Sequence, residues 1–227
     1  MSIITLHTLN VINKIIHYNQ SLYKNFINCD NIVQMTDKID AVILAGGRNS
    51  RMNHFDKSQL PYHGETFLDN ILRQMCFFNK ILIISNSNRE MFSNVNAEIH
   101  KDIIKDIGPL GGIYTALKKA EAMHIFVTSC DMPLVTKENI ELLCSFEDYD
   151  VVVPVHEGRY EMLFALYSKK CLTQIEKMIS EKRYKIIGLL EDSKLKIQKI
   201  PVNNEFLKSL QNINTEDDYI ALIEKYR

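Results

Sequence analysis

An apolar run, Ala41 to Ala45, empties into Gly46-Gly47, and Arg48, Arg51 and Lys57 follow at close spacing. Glycine takes positive φ and carries no Cβ, so backbone N–H groups at Gly46 and Gly47 can approach an anion closely. Arg51 and Lys57 then supply charge for a polyphosphate, Lys57 as a point charge meeting the outer phosphates. A lysine standing alone at position 57 would read as a solvated surface residue. The glycine loop before it and Leu60-Pro61 after it favour phosphate. The chemistry that suits this spacing is nucleotide binding.

Three further segments carry groups of the same kind. Asp106-Ile-Gly-Pro-Leu-Gly-Gly-Ile113 sets Gly108, Pro109, Gly111 and Gly112 ahead of a helical stretch. A turn of this sort opens a helix N-terminus, which favours negative charge, and brings backbone against a planar base or sugar. A plain strand-to-helix connection accounts for it equally well. His124 to Pro133 is an apolar strand that ends in Asp131, just before Met132-Pro133. Ligands gather beyond the carboxyl ends of strands in open α/β sheets. A carboxylate there is placed to hold Mg²⁺, with Mn²⁺ as a substitute, together with substrate phosphates. A turn or cap is the commoner role for such an Asp, but the first loop and Pro133 shift the weight to metal. Lastly, Asn212 and Asn214 flank Ile213, so in extended backbone both amides face one way. They complete a ligand shell or cap the last helix.

The elements that must position these groups alternate from about Asp40 onward. Strand patterns cover 40–45, 80–85, 97–100, 124–129, 150–155, 163–167 and 195–202. Helical patterns cover 66–77, 88–93, 112–122, 137–146, 169–181, 184–192 and 216–226. Repeated βα units of this kind build an α/β domain around a mostly parallel sheet. Thr136 and Thr215 stand at N-cap positions, and Glu216, Asp217 and Asp218 suit the first turn of the last helix. Residues 1–38 hold no glycine or proline and form a loosely amphipathic extension. The predicted division is therefore an extension of unknown role at 1–38 and one domain at 39–227.

Bulk properties narrow the function further. At 227 residues and 46% hydrophobic content, the chain can bury a substantial core. A net charge of −1 argues against coating nucleic acid or anionic membrane, so neither is expected as a partner. No apolar stretch is long enough to span a bilayer, and the N-terminus makes a poor secretory signal. The five cysteines form no C-x-x-C, which points to reduced thiols in a cytoplasmic protein rather than zinc or disulfides. Cys130, beside Asp131, lacks an evident partner base and reads as a buried strand thiol.

Taken in order, these loops resemble the molybdenum cofactor guanylyltransferase family. Members carry a Leu-Ala-Gly-Gly loop with Arg-Met and Asp-Lys, a Gly-Pro-Leu-x-Gly turn, Asp-x-Pro after a central strand, and Asn-x-Asn-Thr near the C-terminus. Here those are Leu44–Gly47, Arg51-Met52, Asp56-Lys57, Gly108–Gly112, Asp131–Pro133 and Asn212–Thr215. The resemblance covers roughly residues 39–227 and implies a three-layer αβα, Rossmann-like nucleotidyltransferase fold with a mostly parallel, mixed sheet. It implies that Leu44, Ala45 and Gly46 contact GTP, that Asn86 and Asp102 help to select base or ribose, and that Lys57 binds phosphates. Asp106 is the alternative to Asp102. Asp131 would hold Mg²⁺, and residues 159–167 would help to receive the second substrate. Two positions depart from the pattern. Asn53 stands where glycine commonly follows Arg-Met, and Met162 replaces a proline before the strand at 163–167.

The implied reaction moves GMP from GTP to the terminal phosphate of a molybdopterin-type cofactor and releases pyrophosphate. The attacking phosphate is already ionised, so positioning and charge neutralisation by Lys57, Arg51 and Asp131 would carry catalysis. A monomer is expected, with molybdoenzyme-specific chaperones as candidate further partners. A cytidylyltransferase or sugar-phosphate nucleotidyltransferase shares the loop, but such relatives more often carry Leu-Ala-Ala-Gly. A noncatalytic nucleotide- or cofactor-binding protein would have less use for both Lys57 and Asp131. Met35 starts an ordinary N-terminus just before the first strand. A chain beginning there should bind GTP as the full chain does; loss of binding in that truncation would give residues 1–34 a role in the site.

Overall fold

The computed structural model describes residues 37–46, 57–87, 92, 95–192 and 194–225. Strand β1 (Ile39–Leu44) is wholly buried. It pairs in parallel with β6 (His124–Ser129) on one side and β4 (Ile81–Ile84) on the other. Beyond β4 lies β5 (Glu98–His100), also parallel. On the other flank, β9 (Ala165–Ser168) runs antiparallel between β6 and β7 (Val151–His156). Edge strand β10 (Ile197–Pro201) is parallel to β7. The order is β10-β7-β9-β6-β1-β4-β5, with the short β8 (Arg159–Tyr160) paired to β7. The expected mixed, mostly parallel sheet is the observed one.

Alternation along β1 divides the core into two. Ala41 and Ile43 pack with α1 (Phe67–Gln74), α3 (Lys137–Cys144) and α5 (Asn204–Ser209). Val42 and Leu44 pack with α2 (Pro109–Lys119) and α4 (Cys171–Ser180) on the opposite face. Burial on both faces explains the continuous apolar runs of the central strands, Ala41–Leu44 and Ile81–Ile84. A third cluster joins the hairpin of β2 (Pro61–Tyr62) and β3 (Glu65–Thr66) to Ile213 and to Leu222 of α6 (Glu216–Lys225).

Several elements differ from expectation. Helix α2 starts at Pro109, not Gly112, because proline's fixed φ suits the first helical position and Gly108 caps it at φ 65°. Gly111 sits inside the first turn, where a Cβ would lie 2.7 Å from the Ile104 carbonyl oxygen. Steric fit therefore outweighs glycine's poor helix propensity here. The stretch predicted as helix 184–192 is a 3-10 turn, Ile186–Glu191. Most of the helix predicted at 88–93 lies outside the described residues. The 2–3 hairpin, β8 and α5 were not anticipated, although Asn203 caps α5 through its side chain to the Phe206 N–H. Thr136 caps α3 as expected.

Among the described residues no helix is long and apolar enough to cross a membrane. Cys130 is buried as expected, as are Cys144 and Cys171, while Cys76 is exposed.

The start of α6 fixes the loop before it. Asp218 accepts the N–H groups of Asn214 and Thr215 at 2.9 and 2.8 Å, while its own N–H donates to Thr215 Oγ1. The Thr215 and Asn214 N–H groups hold the Asp218 carboxyl below the usual carboxylate range. Such a group stabilises the fold above its unfolded pKa of about 3.9, and the contribution is lost as pH falls through the lower folded value. Asp218→Ala should therefore cost about 1 kcal/mol at pH 7, a drop in Tm of roughly 2–4 °C. Thermal melts of the two proteins should converge as pH falls through the lowered folded value; a gap unchanged in acid would mean the cap is not the cause.

Candidate active site

Parallel pairing of β1 and β6 brings their carboxyl ends to one edge. Leu44 is opposite Ser129, and the Cys130 N–H continues the ladder by donating to the Leu44 carbonyl at 3.1 Å. Asp131 therefore emerges beside the Ala45-Gly46 exit of β1. The Met132 N–H donates to the Ser129 carbonyl, tightening the turn that presents the Asp131 side chain. Gly46 is open, with nothing within 4 Å of where a Cβ would project. Gly47 and Arg51, like Arg48 and Asn53, lie outside the described residues.

Lys57 opens a 3-10 turn, Lys57–Gln59, just before the 2–3 hairpin. Its Nζ donates to Asn214 Oδ1 at 2.9 Å and lies 3.7 Å from Asp131 Oδ2. Both charged side chains are mostly buried, Lys57 at 17% and Asp131 at 20% exposure, so water screens the pair less than on an open surface. The loop that supplies Asn214 is fastened to the same turn, because the Ile213 N–H donates to the Asp131 carbonyl at 2.8 Å. Ile213 is fully buried. Segments far apart in sequence thus meet at one ammonium. The other oxygen, Asp131 Oδ1, is buried without a hydrogen-bond partner among the described residues.

A second group of predicted residues meets one strand-pair away. Asn86, after β4, donates from Nδ2 to Asp102 Oδ2 at 2.7 Å, and the Asp102 N–H donates to Asn86 Oδ1 at 3.2 Å. Asp102, after β5, is half-buried, and its Oδ1 has no hydrogen-bond partner among the described residues. Burial pushes its carboxyl up, against the lowering effect of the Asn86 donor. Gly112 backs this pair: a Cβ there would fall 2.9 Å from Leu44 Cδ2 and 3.8 Å from Asp102 Oδ1. Leu44, Gly112 and Asp102 accordingly form one wall. Asp106 is exposed, in left-handed backbone at φ 62°, which suits a turn residue. Asp102, not Asp106, is the carboxylate next to Asn86.

Gly108 lies at the N-terminus of α2 near this wall, with its carbonyl accepting the Gly111 N–H at 3.0 Å. Asn212 is half-buried and shares in none of these contacts; of the two asparagines only Asn214 reaches the cluster. Its role as a clamp on lysine was not foreseen, though the Asn-x-Asn-Thr-x-x-Asp spacing carries the signal for the cap that holds it. Among the described residues no group of three or more His, Cys, Asp or Glu side chains forms a metal cluster.

Comparison with known proteins agrees with this fold. The family model for the MobA-like NTP transferase domain matches residues 41–194. A protein of Clostridium perfringens named "Probable molybdenum cofactor guanylyltransferase" is 34% identical over 194 residues, covering 83% of this chain and 98% of its own length. The crystal structure of molybdopterin-guanine dinucleotide biosynthesis protein A from Archaeoglobus fulgidus superposes with TM-score 0.70 at 26% identity, covering 82% of this chain and 98% of that one. A manganese complex of Rv0371c from Mycobacterium tuberculosis shares the fold at TM-score 0.61 and 16% identity, over 82% and 98% of the two chains. The chain belongs to the MobA-like NTP transferase family, a family of nucleotidyltransferases.

Proposed function

We propose that this chain is a molybdenum cofactor guanylyltransferase, moving GMP from GTP to a molybdopterin-type acceptor with release of pyrophosphate. The observation that carries the reading is the Lys57 ammonium held between Asn214 and Asp131 at the mouth of the glycine loop. The names of the relatives supply the substrates; the site supplies a reason to accept them.

Lys57 offsets phosphate charge in a partly dry pocket, where such an interaction is stronger than in water. Leu44, Ala45 and Gly46 would line the nucleotide, with Gly46 leaving open space beside it; Gly47 and Arg51, which lie outside the described residues, would bring it a further backbone N–H and charge. Gly108 brings backbone and the α2 N-terminus against it. Asn86 holds Asp102 in place, and Asp102 takes N–H or O–H donors of base or ribose. Phosphate oxygens of the acceptor are already ionised, so no side chain has to remove a proton. Catalysis by this chain is then largely orientation.

The residues fit a divalent cation. Asp131 Oδ1 is a buried oxygen without a partner, and Mg²⁺ binds through one or two carboxylates when substrate phosphates complete its shell. Asp131 would hold Mg²⁺, or Mn²⁺ in its place, in keeping with the manganese complex of the Mycobacterium protein. When bound, the ion supplies charge neutralisation at the reacting phosphate. We expect a monomer in the cytoplasm, where GTP is at hand, passing its product to molybdoenzyme-specific chaperones.

Pyrophosphate release should be measured with each of GTP, CTP, ATP and UTP in the presence of molybdopterin cofactor. GTP alone should support turnover; preference for CTP would transfer the chain to the cytidylyltransferases of this fold. Asp131→Ala should keep its melting temperature and lose about a thousandfold in turnover, the equivalent of roughly 4 kcal/mol of barrier. Near-normal turnover in that variant would overturn the metal assignment.

A further inference from the structure

The residues assigned so far recognise the nucleotide on the β4–β5 flank and the phosphates at the centre. On the flank formed by β7 and β9 the family resemblance gives the second substrate only a segment, residues 159–167, with no contact assigned to any residue of it. Glu161 directly follows β8, and its N–H donates to the Pro154 carbonyl at 3.1 Å while its carbonyl accepts the Phe164 N–H at 3.1 Å. The next carbonyl, that of Met162, accepts the buried Tyr167 hydroxyl at 2.6 Å. The backbone that mounts Glu161 is therefore fixed. Its side chain is half-buried, and among the described residues it has neither a hydrogen bond nor an ion pair. Burial alone pushes its carboxyl above the usual range. Neither of its oxygens is fully buried, so an incoming hydrogen-bond donor can reach them, and a partly desolvated carboxylate at the edge of a site is a candidate for binding.

Its place in the sheet suggests the purpose. The antiparallel ladder of β6 and β9 ends with Val127 opposite Ala165. Asp131 lies four residues past Val127, and Glu161 lies four residues before Ala165. Because the strands are antiparallel, both carboxylates emerge at the same end of the sheet. Asp102 emerges there too, from the opposite flank after β5. The phosphate centre thus has a half-buried carboxylate on each side.

We propose that Glu161 recognises the acceptor, its carboxylate accepting the paired N–H donors of a 2-amino-4-oxopyrimidine ring, the edge that pterins share with guanine. An amino group beside a ring N–H offers two parallel donors, and an ionised carboxylate is an acceptor on both oxygens. Glu161 would orient the acceptor so that its phosphate points toward Asp131. The inference rests on the guanylyltransferase reading and deepens it by naming the residue that selects the second substrate.

The test is pyrophosphate release against molybdopterin cofactor concentration at saturating GTP and Mg²⁺, for the unaltered enzyme, Glu161→Gln and Glu161→Asp. GTP affinity is measured separately by calorimetry, and Mg²⁺ dependence is titrated for each. Glu161→Gln should raise KM for the cofactor about 10- to 100-fold, with GTP affinity and Mg²⁺ requirement within twofold of normal. Glu161→Asp should fall between the two. An unchanged cofactor KM, a shift in Mg²⁺ dependence instead, or a parallel loss of GTP binding and melting temperature would each overturn the assignment. The unaltered enzyme supplies a check that needs no variant: 6-hydroxymethylpterin should compete with the cofactor, and the matching lumazine, with oxygen for the amino group, should not. Equal competition by both sinks the proposal. Absence of any turnover by the unaltered enzyme would instead remove the guanylyltransferase reading, and this inference with it.

Discussion

The six-residue parallel register between β1 and β6 is the constraint on which the chemistry depends. It places the glycine exit of one strand and the aspartate of the other at the same edge, and the Cys130 N–H to Leu44 carbonyl bond extends that match past the regular ladder. Two further bonds carry the edge outward. The Ala45 N–H donates to the Ile84 carbonyl, and Ser85 Oγ returns a bond to the Ala45 carbonyl at 2.7 Å. The backbone leading into the phosphate loop is thereby held from both neighbouring strands. A slip of one residue would turn Val42 and Leu44 into the opposite layer and move Asp131 away from the loop.

Charge at this edge is organised by neutral groups as much as by ions. Lys57 is nearer to an amide oxygen than to a carboxylate, 2.9 Å against 3.7 Å. Asn214 therefore fixes the ammonium without neutralising it, and leaves its charge uncompensated by a close carboxylate. Asp131 keeps one oxygen without a partner for the same reason of economy in pairing. A tight Lys57–Asp131 salt bridge would satisfy both groups and blunt both. On the β4–β5 flank, the Asn86 amide does for Asp102 what Asn214 does for Lys57, donating to one oxygen and accepting the aspartate's own N–H.

Local pattern made much of this legible. The strands at 40–45 and 124–129 are unambiguous because burial on both faces makes their central runs, Ala41–Leu44 and Ile125–Val127, continuously apolar. Thr136 and Thr215 marked helix starts because capping is a local interaction. Strand direction has no such signature: nothing within Ala165–Ser168 announces that it runs antiparallel to both neighbours. Glycines misled in one place. Gly111 and Gly112 read as turn residues, whereas tertiary contact with Ile104 and Leu44 requires small residues inside a helix. The choice between Asp102 and Asp106 was also beyond local reading. It turns on which carboxylate faces Asn86 across two strands, a relation made only by folding.

Met162 shows how a departure from a family pattern can be absorbed. Proline before this strand would fix φ and remove a donor, which stiffens the approach to β9. Methionine gives up that stiffness, yet its side chain is 8% exposed and packs in the core shared with α2 and α4. The Tyr167 hydroxyl, fully buried and with its ionisation pushed well up by that burial, donates to the Met162 carbonyl at 2.6 Å. A buried hydrogen bond to a neutral donor thus restrains the carbonyl that a proline ring would have restrained through its own geometry. The bond also spans the bend between β8 and β9, so the segment that presents Glu161 is tied to the sheet from below. Stiffness lost in the covalent chain is recovered from packing, and the bend between β8 and β9 keeps a defined shape.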